Sequence, residues 1–239
     1  MIARTILLAW SLTSTWAGAE DLRVAVAATF RPAFVGVSEL YEQDSGTRPE
    51  AVVGSSGMLY AQITQGAPFH LFLSADRKRP LQLEAAGLTA SRVITYARGR
   101  LALWMPERAA SPDALAGERF ALANPQLAPY GEAARACLEH LDLWQANEAN
   151  AVYGNNVSQT FHFVASGAVG AGLVAHAQLL SEDVPNREIW LAPDSCYEPI
   201  DQGVVVLKSS FEPEAARFMT FLLGHEVQER LAALGYAPL

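Results

Sequence analysis

The strongest constraint on this chain is the pattern at residues 52 to 63. The β-branched pair Val52-Val53 runs into Gly54-Ser55-Ser56-Gly57, after which Met58-Leu59-Tyr60-Ala61-Gln62-Ile63 follows with helix-forming spacing. This reads as a strand, a tight loop and a helix start. A helix start presents unpaired backbone N–H groups and the positive end of the helix dipole, and the serines add hydroxyl donors, so the turn suits a small anion. Capping the helix is the other job open to Ser55 or Ser56. One turn alone does not choose between these jobs.

The same construction recurs along the chain. Leu22 to Ala27 reads as a buried strand, Ala28-Thr29-Phe30-Arg31-Pro32 as a turn, and Phe34, Val37, Leu40 and Tyr41 as the inner side of an amphipathic helix. Proline fits the first helical turn, which leaves Thr29 in the turn before it, as a cap or as a donor. Phe120-Ala121-Leu122-Ala123 leads through Asn124-Pro125-Gln126-Leu127-Ala128-Pro129-Tyr130-Gly131 to a helix that runs to Leu143. Ala151-Val152-Tyr153 leads through Gly154-Asn155-Asn156 to a helix start at Val157-Ser158, where either asparagine suits the cap. Between these units, Ser74 and Asp76 read as caps of a helix carrying Leu81, Leu83 and Ala86. Arg98 to Met105 reads as one strand, as does Ile200 to Leu207, and Pro213 to Gly235 as a helix pair. Alternating strands and helices imply a mainly parallel α/β sheet covered on both faces, with ligands at the carboxyl ends of the strands.

Charge and composition narrow the function. The formal net charge is −8, and removal of residues 1 to 19, which hold one arginine and no acid, leaves −9. No basic footprint for nucleic acid exists, and an anion bound here must be held by local dipoles and hydrogen bonds against the overall field. Residues 1 to 19 read as a signal peptide, with Arg4, an apolar stretch from Ile6 to Trp16, and the small-residue cleavage site Ala17-Gly18-Ala19. Past it no apolar run approaches the roughly 18 residues needed to span a bilayer, so an exported, soluble protein is expected. The two cysteines, Cys137 and Cys196, would enter an oxidising compartment, which permits a disulfide; Cys137 on its helix equally suits a buried apolar role. The cysteines lack zinc-pair spacing, and His70, His140, His162, His176 and His225 contain no H-x-x-x-H pair, so no metal site built from them is expected.

The turns, taken together and in order, resemble one family. Ala27-Ala28-Thr29-Phe30, Val53-Gly54-Ser55-Ser56-Gly57 with Leu59 to Ile63, Gly66-Ala67-Pro68-Phe69, Leu73-Ser74-Ala75-Asp76, Asn124 to Gly131, Asn156-Val157-Ser158-Gln159-Thr160 and Tyr197-Glu198-Pro199-Ile200 are similar to the periplasmic molybdate-binding proteins of ABC importers. The resemblance implies a two-lobed type II periplasmic binding fold with two crossover hinge segments, near Tyr96 to Arg100 and Ile200 to Val204. Lobe 1 would comprise residues 20–97 and 204–239, and lobe 2 residues 98–203. It further implies a tetrahedral oxyanion, molybdate or tungstate, bound without counter-charge by Thr29 and Ser56 from the first lobe and by Tyr130 and the Val157 backbone N–H from the second. Some relatives use a tyrosine where this chain has Ala175, and Tyr130 is expected to stand in for it. His176 is read as a core or hinge residue. The implied protein is a monomer in the periplasm that needs no cofactor, performs no catalysis and hands its anion to a membrane ABC permease.

Two other readings compete. A receptor or sensory subunit for another oxyanion such as sulfate would use the same fold. A serine hydrolase would place Ser56 on a nucleophile elbow, but Met58 stands where the Gly-x-Ser-x-Gly pattern needs its last glycine, and no Asp-His pair is placed to activate the serine.

Overall fold

The computed structural model describes residues 21–237. The signal peptide read at residues 1 to 19 lies outside the described residues. Two five-stranded sheets form the frame. In the first, the order is β2 (Glu50–Gly54), β1 (Arg23–Ala27), β3 (Leu71–Leu73), β10 (Ile200–Val206) and β4 (Ile94–Gly99). In the second it is β7 (Ala151–Gly154), β6 (Phe120–Ala123), β8 (Ala171–Ala175), β5 (Leu101–Trp104) and β9 (Ile189–Leu191).

Each sheet has a parallel trio, β2-β1-β3 and β7-β6-β8, extended by antiparallel partners. The sheets are therefore mixed, not mainly parallel. The reason is the pair of crossings: β10 enters the first sheet from the second half of the chain and must run against β3 and β4. The stretch Arg98 to Met105, expected as one strand, is likewise two. It breaks at Arg100, with β4 pairing β10 in the first sheet and β5 pairing β8 and β9 in the second.

Helices cover both sheets: α1 (Arg31–Ser45), α2 (Ser56–Thr64), α3 (Lys78–Ala85), α8 (Glu212–Leu222) and α9 (His225–Ala233) on the first, and α4 (Pro129–His140), α5 (Trp144–Asn147), α6 (Val157–Ala165) and α7 (His176–Ser181) on the second. The first sheet has a core on each face. Phe30, Phe34, Tyr41 and Phe218 meet on one, and Leu59, Phe72 and Leu83 on the other. The second sheet has a single large core that includes Leu103, Phe120, Leu122, Tyr130 and Leu173. Full burial of each such side chain contributes roughly 1.5–3 kcal/mol. Two expected details differ. Leu81 points outward, 45% exposed, because Leu83 takes the inner face of α3. The helix expected to reach Leu143 stops at His140, and Asp142 turns the chain with a φ of 57° before α5.

Cys137 and Cys196 are bonded, tying α4 to the turn Asp194–Cys196 that precedes β10. No helix among the described residues is long and apolar enough to cross a membrane.

Candidate functional site

The parallel strands β1, β2, β6 and β7 end at one place, and each hands the chain to a helix there. Two of these helix starts are closed by a side chain. Ser55 Oγ accepts from Met58 N at 3.3 Å, and Asn156 Oδ1 accepts from Gln159 N at 2.9 Å. Capping by the residue ahead of the helix leaves the first helical residues, Ser56 and Val157, with backbone N–H groups that have no intrahelical partner. The other two starts carry proline in the first turn, Pro32 in α1 and Pro129 in α4, and have no side-chain cap. Thr29 and Tyr130 beside those prolines keep their hydroxyls free of capping duty.

These residues meet around one cavity between the sheets, lined by Ala28, Thr29, Ser55, Ser56, Ala75, Tyr130, Asn156 and Val157 among others. Thr29, Ser56, Tyr130 and Val157, the four residues singled out from sequence, are all brought to it. The cavity is small. No charged side chain and no histidine lines it.

The polar atoms at its wall are arranged to donate. Ser56 Oγ accepts from Ala75 N at 2.9 Å, so its own hydrogen remains to be given. Thr29 Oγ1 and Tyr130 Oη are buried with no hydrogen-bond partner. A hydroxyl in that state costs on the order of 1–3 kcal/mol, so two at one cavity mark a place where something is meant to accept from them. Burial pushes the Tyr130 phenol well above its ordinary range; the Tyr236 and Tyr197 rings add to this and the Gln202 amide acts the other way. The phenol therefore stays protonated and able to donate. Four helix N-termini add their dipoles, which favour negative charge.

The two halves touch across the cavity. Gly57 N donates to Leu127 O at 2.9 Å, and a methyl on Gly57 would sit 2.8 Å from that same oxygen, so glycine permits the approach. Ser158 Oγ donates to Ala28 O at 3.2 Å. Arg79, paired with Asp76 on its own side, reaches Gln126 O and Glu132 at 3.5 Å on the other. Behind the site Tyr236 Oη donates to Thr29 O at 3.1 Å and holds that turn.

Of the two expected caps, Asp76 reaches the helix, its Oδ1 accepting from Arg79 N in the first turn of α3, whereas Ser74 Oγ accepts from Asp76 N and closes the turn ahead of the helix instead. Ala175 is fully buried and absent from the lining, and the His176 ring faces Gly235 instead of the cavity. Sequence reasoning missed Ala75, whose N–H orients Ser56, the cross-cleft reach of Arg79, and Gln202 behind Tyr130. For Gln202 the signal was weak: it follows Asp201 in the polar first half of β10, ahead of Gly203 and the apolar run Val204 to Val206.

Known proteins are similar in sequence and in fold. Residues 22–237 match the family model described as bacterial extracellular solute-binding protein. The chain is 35% identical over 227 residues to the molybdate-binding protein ModA of Rhodobacter capsulatus, covering 92% of this chain and 89% of that protein. It is 35% identical over 240 residues to ModA of Azotobacter vinelandii, covering 97% and 95%. The solved structure of the Azotobacter vinelandii periplasmic molybdate-binding protein superposes with a TM-score of 0.85 over 92% of this chain and 100% of that one. With the fold, the cavity and these likenesses together, the chain belongs to the bacterial extracellular solute-binding protein family, alongside its ModA members.

Proposed function

We propose that this protein is a periplasmic receptor that captures molybdate, or tungstate, between its two lobes and delivers it to an ABC permease. The observation that carries the reading is the pair of orphaned hydroxyls, Thr29 Oγ1 and Tyr130 Oη, buried on one cavity whose wall has donors but no cation. A fully deprotonated tetrahedral dianion is the ligand chemistry that such a wall serves. Its oxygens accept from Thr29, Ser56, Tyr130 and the Val157 N–H, and helix dipoles replace a counter-ion. The relatives named as molybdate-binding proteins support the choice of anion.

Neutral donors also account for selectivity. Molybdate, tungstate and sulfate carry the same charge at neutral pH, so a fixed ring of donors separates them by size and oxygen position alone. A protonated anion such as hydrogen phosphate brings an O–H that finds no carboxylate in the wall to accept it, which costs it affinity. Hydrogen bonds to a charged group contribute roughly 1.5–3 kcal/mol each, and several together reach the tight binding an importer needs. The contacts from Gly57 to Leu127 and from Ser158 to Ala28 would form as the lobes close on the anion. Export, a monomeric state and partnership with a permease belong to the same proposal. A hydrolase is disfavoured by the surroundings of Ser56, whose oxygen accepts from Ala75 N and has no histidine beside it in the lining.

The test is a thermal-shift panel of molybdate, tungstate, sulfate, phosphate and chromate, followed by calorimetry. Stabilisation by the first two above the rest is expected. No stabilisation by any oxyanion would sink the reading.

A further inference from the structure

Tyr130 belongs to the second half of the molecule, yet its hydroxyl ends against the first. A methyl group on Gly99, at the end of β4, would lie 2.1 Å from Tyr130 Oη and 2.8 Å from its Cζ. Gly99 is therefore glycine to make room for the phenol. The same methyl would lie 3.1 Å from Gln202 Nε2, so the phenol oxygen and the amide nitrogen come side by side over Gly99.

Gln202 is 0% exposed on β10, at the point where its register with β4 shifts. Tyr96 Oη, also deep in the core, lies 2.9 Å from Gln202 Oε1 and donates to it. Because Oε1 is engaged there as the acceptor, the end of the amide turned to Tyr130 is the donor, Nε2. Gln202 Nε2 and Tyr130 Oη are both buried without a formed hydrogen bond. An unpartnered donor thus stands beside an unpartnered phenol oxygen at the wall of the anion cavity.

We infer that Gln202 is the positioning residue of the anion site: its Nε2–H donates to Tyr130 Oη when the anion binds, so that the Tyr130 O–H is directed at the anion. This rests on the oxyanion reading above and deepens it. The relay runs one way, from Tyr96 O–H to Gln202 Oε1, from Gln202 Nε2–H to Tyr130 Oη, and from Tyr130 O–H to the ligand. With its oxygen already accepting from Gln202, Tyr130 is turned toward the ligand as a donor. A bare anion oxygen is favoured at this position over one carrying a proton.

Calorimetry with molybdate on the full mature chain tests this with Gln202→Met, Tyr130→Phe and the double variant; methionine keeps the approximate bulk and removes the donor. Gln202→Met should weaken binding by about tenfold or more, approaching Tyr130→Phe, as expected for losing one hydrogen bond to a charged group. In the double variant, Gln202→Met should add nothing to the loss already caused by Tyr130→Phe, because it acts through that phenol. The tyrosine difference absorbance that molybdate induces should vanish in Tyr130→Phe and shrink in Gln202→Met. Thermal unfolding without anion checks that each variant is folded, and Gln202→Leu replaces Gln202→Met if the latter is not. The inference is overturned if the unaltered protein binds molybdate and Gln202→Met or Gln202→Leu binds within about twofold of it, or if the single losses multiply in the double variant. If the unaltered protein binds no oxyanion, the functional reading itself has failed, and the inference with it.

Discussion

The four helix starts around the cavity are of two kinds, and the contrast explains what each contributes. At α2 and α6 a side chain one residue ahead closes the helix, Ser55 or Asn156, and the tie spans three residues. At α1 and α4 a proline opens the helix with no cap, and the turn is held by a partner far along the chain. Tyr236 holds the carbonyl of Thr29, 207 residues away, and Cys196 holds Cys137 on the helix of Tyr130, 59 residues away. The locally closed starts offer the cavity backbone N–H groups at their first helical residue. The remotely held starts offer side-chain hydroxyls. Local ties cost little chain entropy to form and remote ties restrict more of the unfolded chain, so the two kinds should differ when they are cut.

The largest effect is expected at a remote tie. Replacing Cys137 and Cys196 by serine opens a loop of 59 residues, which should lower stability by about 4 kcal/mol on loop-closure grounds. Urea unfolding of the mature protein measures it. A loss no larger than that of a missing cap would break the contrast, because packing alone would then be fixing α4.

Next in size is a distinction between neighbours. Ser56→Ala removes a donor from the cavity and should weaken molybdate binding by about ten- to a hundredfold, as expected for one hydrogen bond to a charged group, with the fold intact. Ser55→Ala and Asn156→Ala remove caps and should each cost about 1 kcal/mol of stability with a smaller effect on affinity. Calorimetry and denaturant unfolding on the three variants separate the roles. Unchanged affinity in Ser56→Ala would remove that serine from the site.

The same contrast sorts what the sequence made legible. The α/β class, the four strand-to-helix turns and the helix-start role of Asp76 follow from patterns a few residues long, and those patterns can be read directly. Thr29, Ser56, Tyr130 and Val157 were singled out on turn chemistry joined to a family resemblance, and the chain alone did not show that they converge. What stayed hidden depends on distant partners. The break at Arg100 is invisible because Arg98 to Met105 is one strand-like run whose halves pair with different sheets. The cysteine pairing was open because Cys137 on a helix suits burial as well as bonding. Gly99 and Gln202 gain their meaning only when Tyr130 crosses to them.

The smallest expected effect concerns a strand-to-helix junction of neither kind. β8 passes into α7 at Ala175-His176 with no cap and no proline, and neither residue lines the cavity. His176 N donates to Arg100 O at 2.9 Å, and the ring packs where a methyl on Gly235 would come within 3.4 Å of Nδ1, so the residue sits between the two halves. Burial, and then the Arg100 charge, hold the imidazole below its ordinary pKa, with the Gly235 backbone acting in the other direction. A histidine whose folded pKa is depressed binds its proton more readily in the unfolded chain, so stability is retained above about pH 6.5 and lost as the pH falls from there through the folded value. His176→Gln removes this titration. Its urea midpoint should therefore fall less than that of the unaltered protein between neutral and mildly acidic pH. Molybdate affinity near neutrality should be unchanged, since the ring does not line the cavity. Equal acid losses in the two proteins would mean that protonating His176 costs the fold nothing, and that this junction, unlike the four around the anion, is indifferent to charge.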